Sequence, residues 1–303
     1  MQYNKLGIKQ RKSLFVTAFL APGVILYLLI YAYPIINIFL TSFTNWNFKN
    51  LAHPEFIGFA HLFDNYKALF TTDFYYVTAL KNSIKWIILA GVIQVPFALI
   101  VALVLSKKLP LWKFTRNVFI IPNIISSAAI GLIFVNMYDP AGGVITLLLE
   151  KLTGKDLNLL ASPSSAFWCV TFAFVLFGGM IMLLMLSQIS SISGELYEAA
   201  SIDGATKFQQ DLKITLPMMK SSLGTSYILA CNYGLLIYNE IYLITKGGPD
   251  GSTYSIGYYI YKTAMGSSKL NFAKANTAGV IMILLGLTLV SLLSVLFSRR
   301  VDE

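Results

Sequence analysis

WIILAGVIQVPFALIVALVLS, residues 86–106, holds no charged side chain. A bilayer hydrocarbon core about 30 Å thick is crossed by roughly 20 mostly apolar residues in a helix. A run of this kind therefore reads as membrane-spanning. Five more charge-free runs lie at 13–48, 117–138, 157–194 (apolar centre 166–186), 221–239 and 275–298. The whole chain of 303 residues is 56% hydrophobic and 12% charged, against about 25% charged in an ordinary soluble domain. A membrane β-barrel would show segments of about 10 residues alternating in polarity, and these runs are too long and too uniform. The expectation is an all-α membrane protein with six transmembrane helices, forming one domain over residues 1–303 with no separate soluble module.

The net charge of +9 does not point to nucleic acid, because the basic residues sit at the ends of the apolar runs and not in one patch. They set orientation instead. An N-terminus inside puts Lys5, Lys9, Arg11, Lys12, Lys107, Lys108, Lys113, Arg116, Lys207, Lys213, Lys220, Arg299 and Arg300 on the cytoplasmic side, as the positive-inside rule asks. Both termini are then cytoplasmic, although Lys246, Lys262, Lys269 and Lys274 fall in the last outer loop. The first run follows a basic head but is too long for a signal peptide and lacks a small-residue cleavage site; it reads as a retained helix bent at Pro22 and Pro34. Cys169 and Cys231 lie within apolar runs with no CxxC neighbour, which argues against a disulfide or metal site.

One polar insert interrupts this pattern on the cytoplasmic side, at about 190–220. It contains ELYEAASIDGATKFQQDLKITLP, residues 195–217. Ser193 can cap a helix that Glu195, Glu198, Ala199 and Ala200 favour. Asp203-Gly204 ends it, since glycine accepts the left-handed terminator conformation. A second short helix, 206–213, follows at an angle, with Pro217 at the next apolar run. An amphipathic helix on the membrane surface would carry Lys or Arg on its polar face, whereas residues 195–204 hold three acids and no base. A protein partner is favoured, with the alanines admitting a close backbone and Glu198 offering a charge to an arginine.

Glu198-Ala199-Ala200, Asp203-Gly204-Ala205 and Ile214-Thr215-Leu216-Pro217 resemble the EAA loop of permease subunits in binding-protein-dependent ABC importers. Leu196-Tyr197 before it looks like the carbohydrate-uptake branch. Thr245-Lys246-Gly247-Gly248-Pro249 with Thr253 resembles the family's last outer loop, and Phe56-Ile57-Gly58 with Asn65-Tyr66 its first. The sequence departs from the pattern with extra residues between Gly58 and Asn65, with Asn239-Glu240 in place of a Phe-Asp pair, and at 272–276.

The resemblance implies a type I importer permease fold in a bacterial or archaeal cell membrane. The elbow becomes a coupling helix seated in a cytoplasmic ATPase dimer, beside a second permease and below an extracellular sugar-binding protein. The chain itself is then no enzyme and binds no cofactor, ATP and Mg belonging to the ATPase. In agreement, it has no GxxxxGK[ST] phosphate loop. The cargo implied is a sugar, an oligosaccharide by preference, moved by alternating access.

Polar residues inside spans need partners or a wet path. Thr225, Asn232 and Asn239 recur every seven residues in the fifth run and form one helical stripe with Glu240 at its outer end. Tyr233, Tyr238 and Tyr242 supply aromatic faces nearby. The stripe reads either as sugar contact or as interhelical glue. Asn123, Ser126, Ser127 and Asn136 form a weaker second set around Pro122, which either lines a cavity or is repaired by neighbouring helices. A secondary transporter would show internal repeats and buried relays, and a permease for a non-sugar solute stays open. A membrane enzyme would need more than His53 and His61, which lack a carboxylate cluster.

Overall fold

The computed structural model describes residues 7–266 and 269–298. Lys5, Arg299 and Arg300 of the charge argument lie outside the described residues. Within them there is no strand, only one isolated antiparallel bridge between Thr44 and Phe56. Five helices are long and apolar enough to cross a membrane: Lys12–Thr41, Phe74–Ser106, Pro163–Ser190, Lys220–Thr245 and Phe272–Phe297. A bent pair, Trp112–Ile124 and Ser127–Met137, is apolar enough only when its two halves are taken together, and counted as one span it makes a sixth.

The single run expected over 117–138 is divided in two, and its halves meet at 103°. Pro122 cannot donate to the carbonyl four residues back, and Ile125 and Ser126 are extended, with ψ of 143° and 141°. The Ser126 hydroxyl then accepts from Ala129 N at 3.3 Å and starts the second half as its N-cap.

Elsewhere prolines are absorbed without a break. Pro34, Pro96 and Pro217 each follow a π turn two residues earlier, at Leu28–Ala32, Ala90–Gln94 and Asp211–Thr215. The wider turn relieves the clash of the ring with the preceding carbonyl. Pro22 lies inside the helix Ile8–Tyr27. The first span thus stays one continuous 30-residue helix, and it packs on the last span through its final segment Tyr33–Thr41.

The second span starts at Phe74, well before the apolar run that announced it. Lys81 and Lys85 broke that run, yet they are exposed, while Tyr76, Ala79, Ser83 and Trp86 form a buried face at helical spacing. The segments between spans likewise contain the helices Asp64–Thr71, Val144–Thr153 and Ile256–Ala264. The main core gathers Trp86, Phe174, Met182, Met185, Ala230 and Ile241 from the second, fourth and fifth spans. Both cysteines are free and buried.

At the end opposite the elbow, Asp73 ties three elements together. Its carboxylate caps the second span by accepting from Tyr76 N at 3.0 Å, accepts from the Tyr259 hydroxyl at 2.7 Å, and pairs with Lys274 of the last span at 2.5 Å. Burial pushes this carboxyl up, but the Lys274, Tyr259 and Tyr76 hydrogen bonds outweigh it, and the net shift is downward. A carboxylate depressed in the folded state stabilises above its unfolded pKa of about 3.9, and that stability is lost as pH falls through the folded value. Asp73→Asn is accordingly expected to melt below the wild type at pH 7, with the gap closing once pH drops beneath about 4. Melting curves of the two proteins across that range check it; a gap independent of pH would assign Asp73 no ionic role.

Candidate functional site

The polar insert folds as a locked elbow. Its first arm, Gly194–Ile202, is capped by Ser193, whose hydroxyl accepts from Glu195 N at 3.3 Å. The arm ends with Ala205 N donating to Ala200 O at 2.9 Å and Gly204 N to Ser201 O at 3.1 Å, the paired bonds of a Schellman terminator. Gly204 sits at φ +79°, where only glycine rests without steric cost. Thr206 and Gln209 form a capping box on the second arm, Lys207–Gln210, which runs on through Asp211–Thr215 to Pro217.

Gln210 is the lock. It is 2% exposed, and its amide donates to Ser201 Oγ at 2.8 Å and to Tyr197 O at 3.3 Å. Tyr197 and Thr215 share a hydroxyl contact of 2.9 Å across the same junction. Lys107, at the end of the second span, pairs with Asp211 at 2.9 Å and fastens the elbow to the bundle.

Glu195, Glu198, Ala199, Asp203, Gly204 and Pro217 are exposed, and Ala200 and Ala205 half-buried. The most prominent side chains are others. Ile202 is 87% and Phe208 70% exposed, flanking the Gly204 turn as two apolar knobs. Their signal was present as the large apolar residues on either side of the turn in an otherwise polar insert. Gln210 offered no such signal, because a buried glutamine in a polar stretch looks like any surface one.

The fifth span departs from the expected stripe. Its helix Lys220–Leu236 stops at Ile237, where ψ is 121°, so Asn239 and Glu240 lie beyond a break and the sevenfold spacing no longer holds them in line. Thr225 is exposed and bonds its own helix at Ser221 O, 3.2 Å away. Asn232 is half-buried and makes no hydrogen bond within the described residues, so it is not glue between helices of this chain. Glu240 does not end the stripe at the surface: it is 5% exposed and accepts from the Tyr233 hydroxyl. Tyr233 is stacked on Phe174, with centroids 5.3 Å apart and planes 12° apart; one of the faces offered to a ligand is thereby occupied.

The break brings the two polar sets together in part. Ser127 and Gly131 of the third crossing, with Asn239 and Glu240 of the fifth, line one small cavity of about 10 Å³, on the order of the space a single water needs. Asn123 is elsewhere. Its buried amide nitrogen has no partner and lies where a side chain on Gly179 would collide with it, at the break in the fourth span marked by Gly178-Gly179. Gln94 was missed. It is fully buried in the π turn of the second span, donates to Phe174 O at 3.0 Å and leaves its amide oxygen unpaired. A lone amide in residues 86–106 was the available signal. Asn82, donating to Ser252 O at 2.7 Å and Tyr254 O at 3.0 Å, and Ser83, accepting from Ile256 N, stitch the loop after the fifth span to the second.

Residues 94–303 match the family described as the inner membrane component of binding-protein-dependent transport systems. The probable ABC transporter permease protein YurN of Bacillus subtilis is 33% identical over 90% of this chain and 93% of its own. The multiple sugar-binding transport system permease protein MsmF of Streptococcus mutans is 29% identical over 94% of this chain and 95% of its own. A chain of the bacterial alginate ABC transporter, solved in complex with an alginate pentasaccharide-bound periplasmic protein, superposes with a TM-score of 0.79 at 23% identity, covering 97% of this chain and 96% of that one.

Proposed function

This chain belongs to the inner membrane component family of binding-protein-dependent transport systems, and from that membership we propose that it is the sugar-translocating permease of an ATP-driven importer. It is a transport subunit and not an enzyme. The observation that carries the reading is the elbow: a rigid, internally satisfied helix pair whose Ile202 and Phe208 find no cover in their own chain. Such a knob fits a groove on a separate cytoplasmic ATPase dimer, which would hold the ATP and Mg. Elbow and both termini then face the cytoplasm, as the positive-inside argument has it. A second permease completes the path, and an extracellular binding protein delivers the cargo, as the periplasmic protein in the alginate transporter complex suggests.

The sugar assignment draws on the relative named for multiple sugars and on the alginate transporter. It is supported by Asn232, an unpaired amide beside the fifth-span break, with Asn239 and Glu240 beyond it. A sugar hydroxyl would satisfy that amide, and losing the bond costs about 1 kcal/mol, which is roughly fivefold in affinity. In liposomes holding the assembled transporter and its binding protein, wild type is expected to accumulate sugar only with ATP. Asn232→Ala should raise the sugar concentration for half-maximal uptake about fivefold and relax competition among related sugars, with an unchanged melting temperature. A destabilised but equally selective complex would remove Asn232 from the path. Uptake by this chain alone would remove the subunit reading altogether.

A further inference from the structure

At the end opposite the elbow, a cleft of about 610 Å³ opens between the start of the second span, the first turns of the fourth and the turn at 249–252. Phe74, Lys85, Ser164, Phe167, Trp168 and Asp250 line it. Beside it runs an apolar groove of about 930 Å³, which shares Ser164 and Trp168 and continues along Ile93, Leu148, Phe172 and Val175.

Depth in the membrane distinguishes the two. Counting about 20 residues back from the elbow-side ends of the second and fourth spans, Ser106 and Ser190, places the far edge of the hydrocarbon near residues 87 and 171. Lys85 and Trp168 therefore sit at headgroup level, where cationic and indole side chains concentrate, and Ile93, Phe172 and Val175 sit among acyl chains. A cleft that holds a cation and an anion at one level, joined to an apolar groove at the next, has the outline of a phospholipid.

The charges define the head. Lys85 Nζ lies 5.2 Å from the Phe167 ring centroid, which holds the ammonium over the cleft floor. Asp250 is exposed, at φ +49° in the adjoining turn. Neither side chain has an ion pair within the described residues. One unpaired cation and one unpaired anion in a single cleft complement a head that carries both signs. A neutral sugar could use the exposed Trp168 face but would leave both charges unmatched.

We propose that cleft and groove together bind one ethanolamine-headed phospholipid, its phosphate on Lys85, its primary ammonium donating to Asp250, and an acyl chain in the groove. A choline head offers no N–H to Asp250, and a glycerol head no cation.

The assembled transporter in nanodiscs of equal phosphatidylethanolamine, phosphatidylcholine and phosphatidylglycerol, extracted into mild detergent, tests this by quantifying retained lipid. Wild type is expected to retain phosphatidylethanolamine about tenfold over phosphatidylcholine. Lys85→Gln should lower retention of all three, and Asp250→Asn should abolish the preference between ethanolamine and choline. Among the described residues neither side chain has an ion pair, and Lys85 has only its Phe167 ring contact, so both variants should melt close to the wild type. Retained lipid that mirrors the disc composition, or selectivity unchanged in both variants, overturns the proposal. So does quenching of Trp168 by a soluble oligosaccharide in a complex without lipid selectivity, which would assign the cleft to sugar.

Discussion

Gly204→Val is expected to strip the ATPase from the purified complex while the chain still inserts and folds in the membrane. Gly204 sits at φ +79° with nothing within 4 Å of an added Cβ, so the penalty is conformational and not steric crowding by neighbours. A β-branched residue held there costs on the order of 1 to 3 kcal/mol, and the bonds from Gly204 and Ala205 to the first arm exist only in that conformation. Once the terminator opens, Ile202 and Phe208 leave the positions that the Gln210 lock gives them. The ATPase copurifying per permease should fall about tenfold or more. Gly204→Asn, which tolerates the left-handed region, should restore most of it. Glu198→Lys, reversing an exposed charge on the same arm, should weaken association less. Wild-type ATPase content in the valine variant would sink the coupling assignment.

Gly234→Val should do the reverse, destroying the bundle and leaving the elbow's own contacts untouched. An added Cβ at Gly234 would stand 2.7 Å from the Trp86 carbonyl oxygen, 2.9 Å from its carbon and 3.1 Å from Ile87 N. These are backbone atoms of the second span and cannot rotate away, so the fifth and second spans must separate beside the main-core residue Trp86. Overpacking of this kind costs about 3 kcal/mol or more, and folded protein should be lost from detergent extracts. Gly257→Ala is the matched control, because its Cβ would meet the Ile237 and Leu236 carbonyls at an ordinary 3.5 Å. If both variants melt alike, the close approach at Gly234 carries no stability.

Both substitutions act where one glycine meets a backbone requirement, yet only one of the two was visible in the sequence. Gly204 follows a helix-forming run and an aspartate, so local chemistry announces the terminator. Gly234 lies in an apolar run among other small residues, and its need arises from Trp86, which is remote in sequence. The same division holds for the polar residues. Asn232 and Asn239 were legible as amides in a membrane span. That Glu240 folds back onto Tyr233 depended on the break at Ile237, which no proline or glycine marks.

Hydrophobic run length, set by bilayer thickness, was enough to establish an all-helical membrane protein with six crossings, and the residue order Ser193 to Pro217 was enough to place an elbow on one face of it. These are local properties, settled by each segment's own burial and capping needs. Tertiary packing decided the rest: that the second helix continues through Lys81 and Lys85, that Gln210 locks the elbow, and that Ser127, Asn239 and Glu240 line one cavity. Each of these depends on how separate elements are placed against one another. A linear pattern of apolar and polar residues carries no record of that geometry.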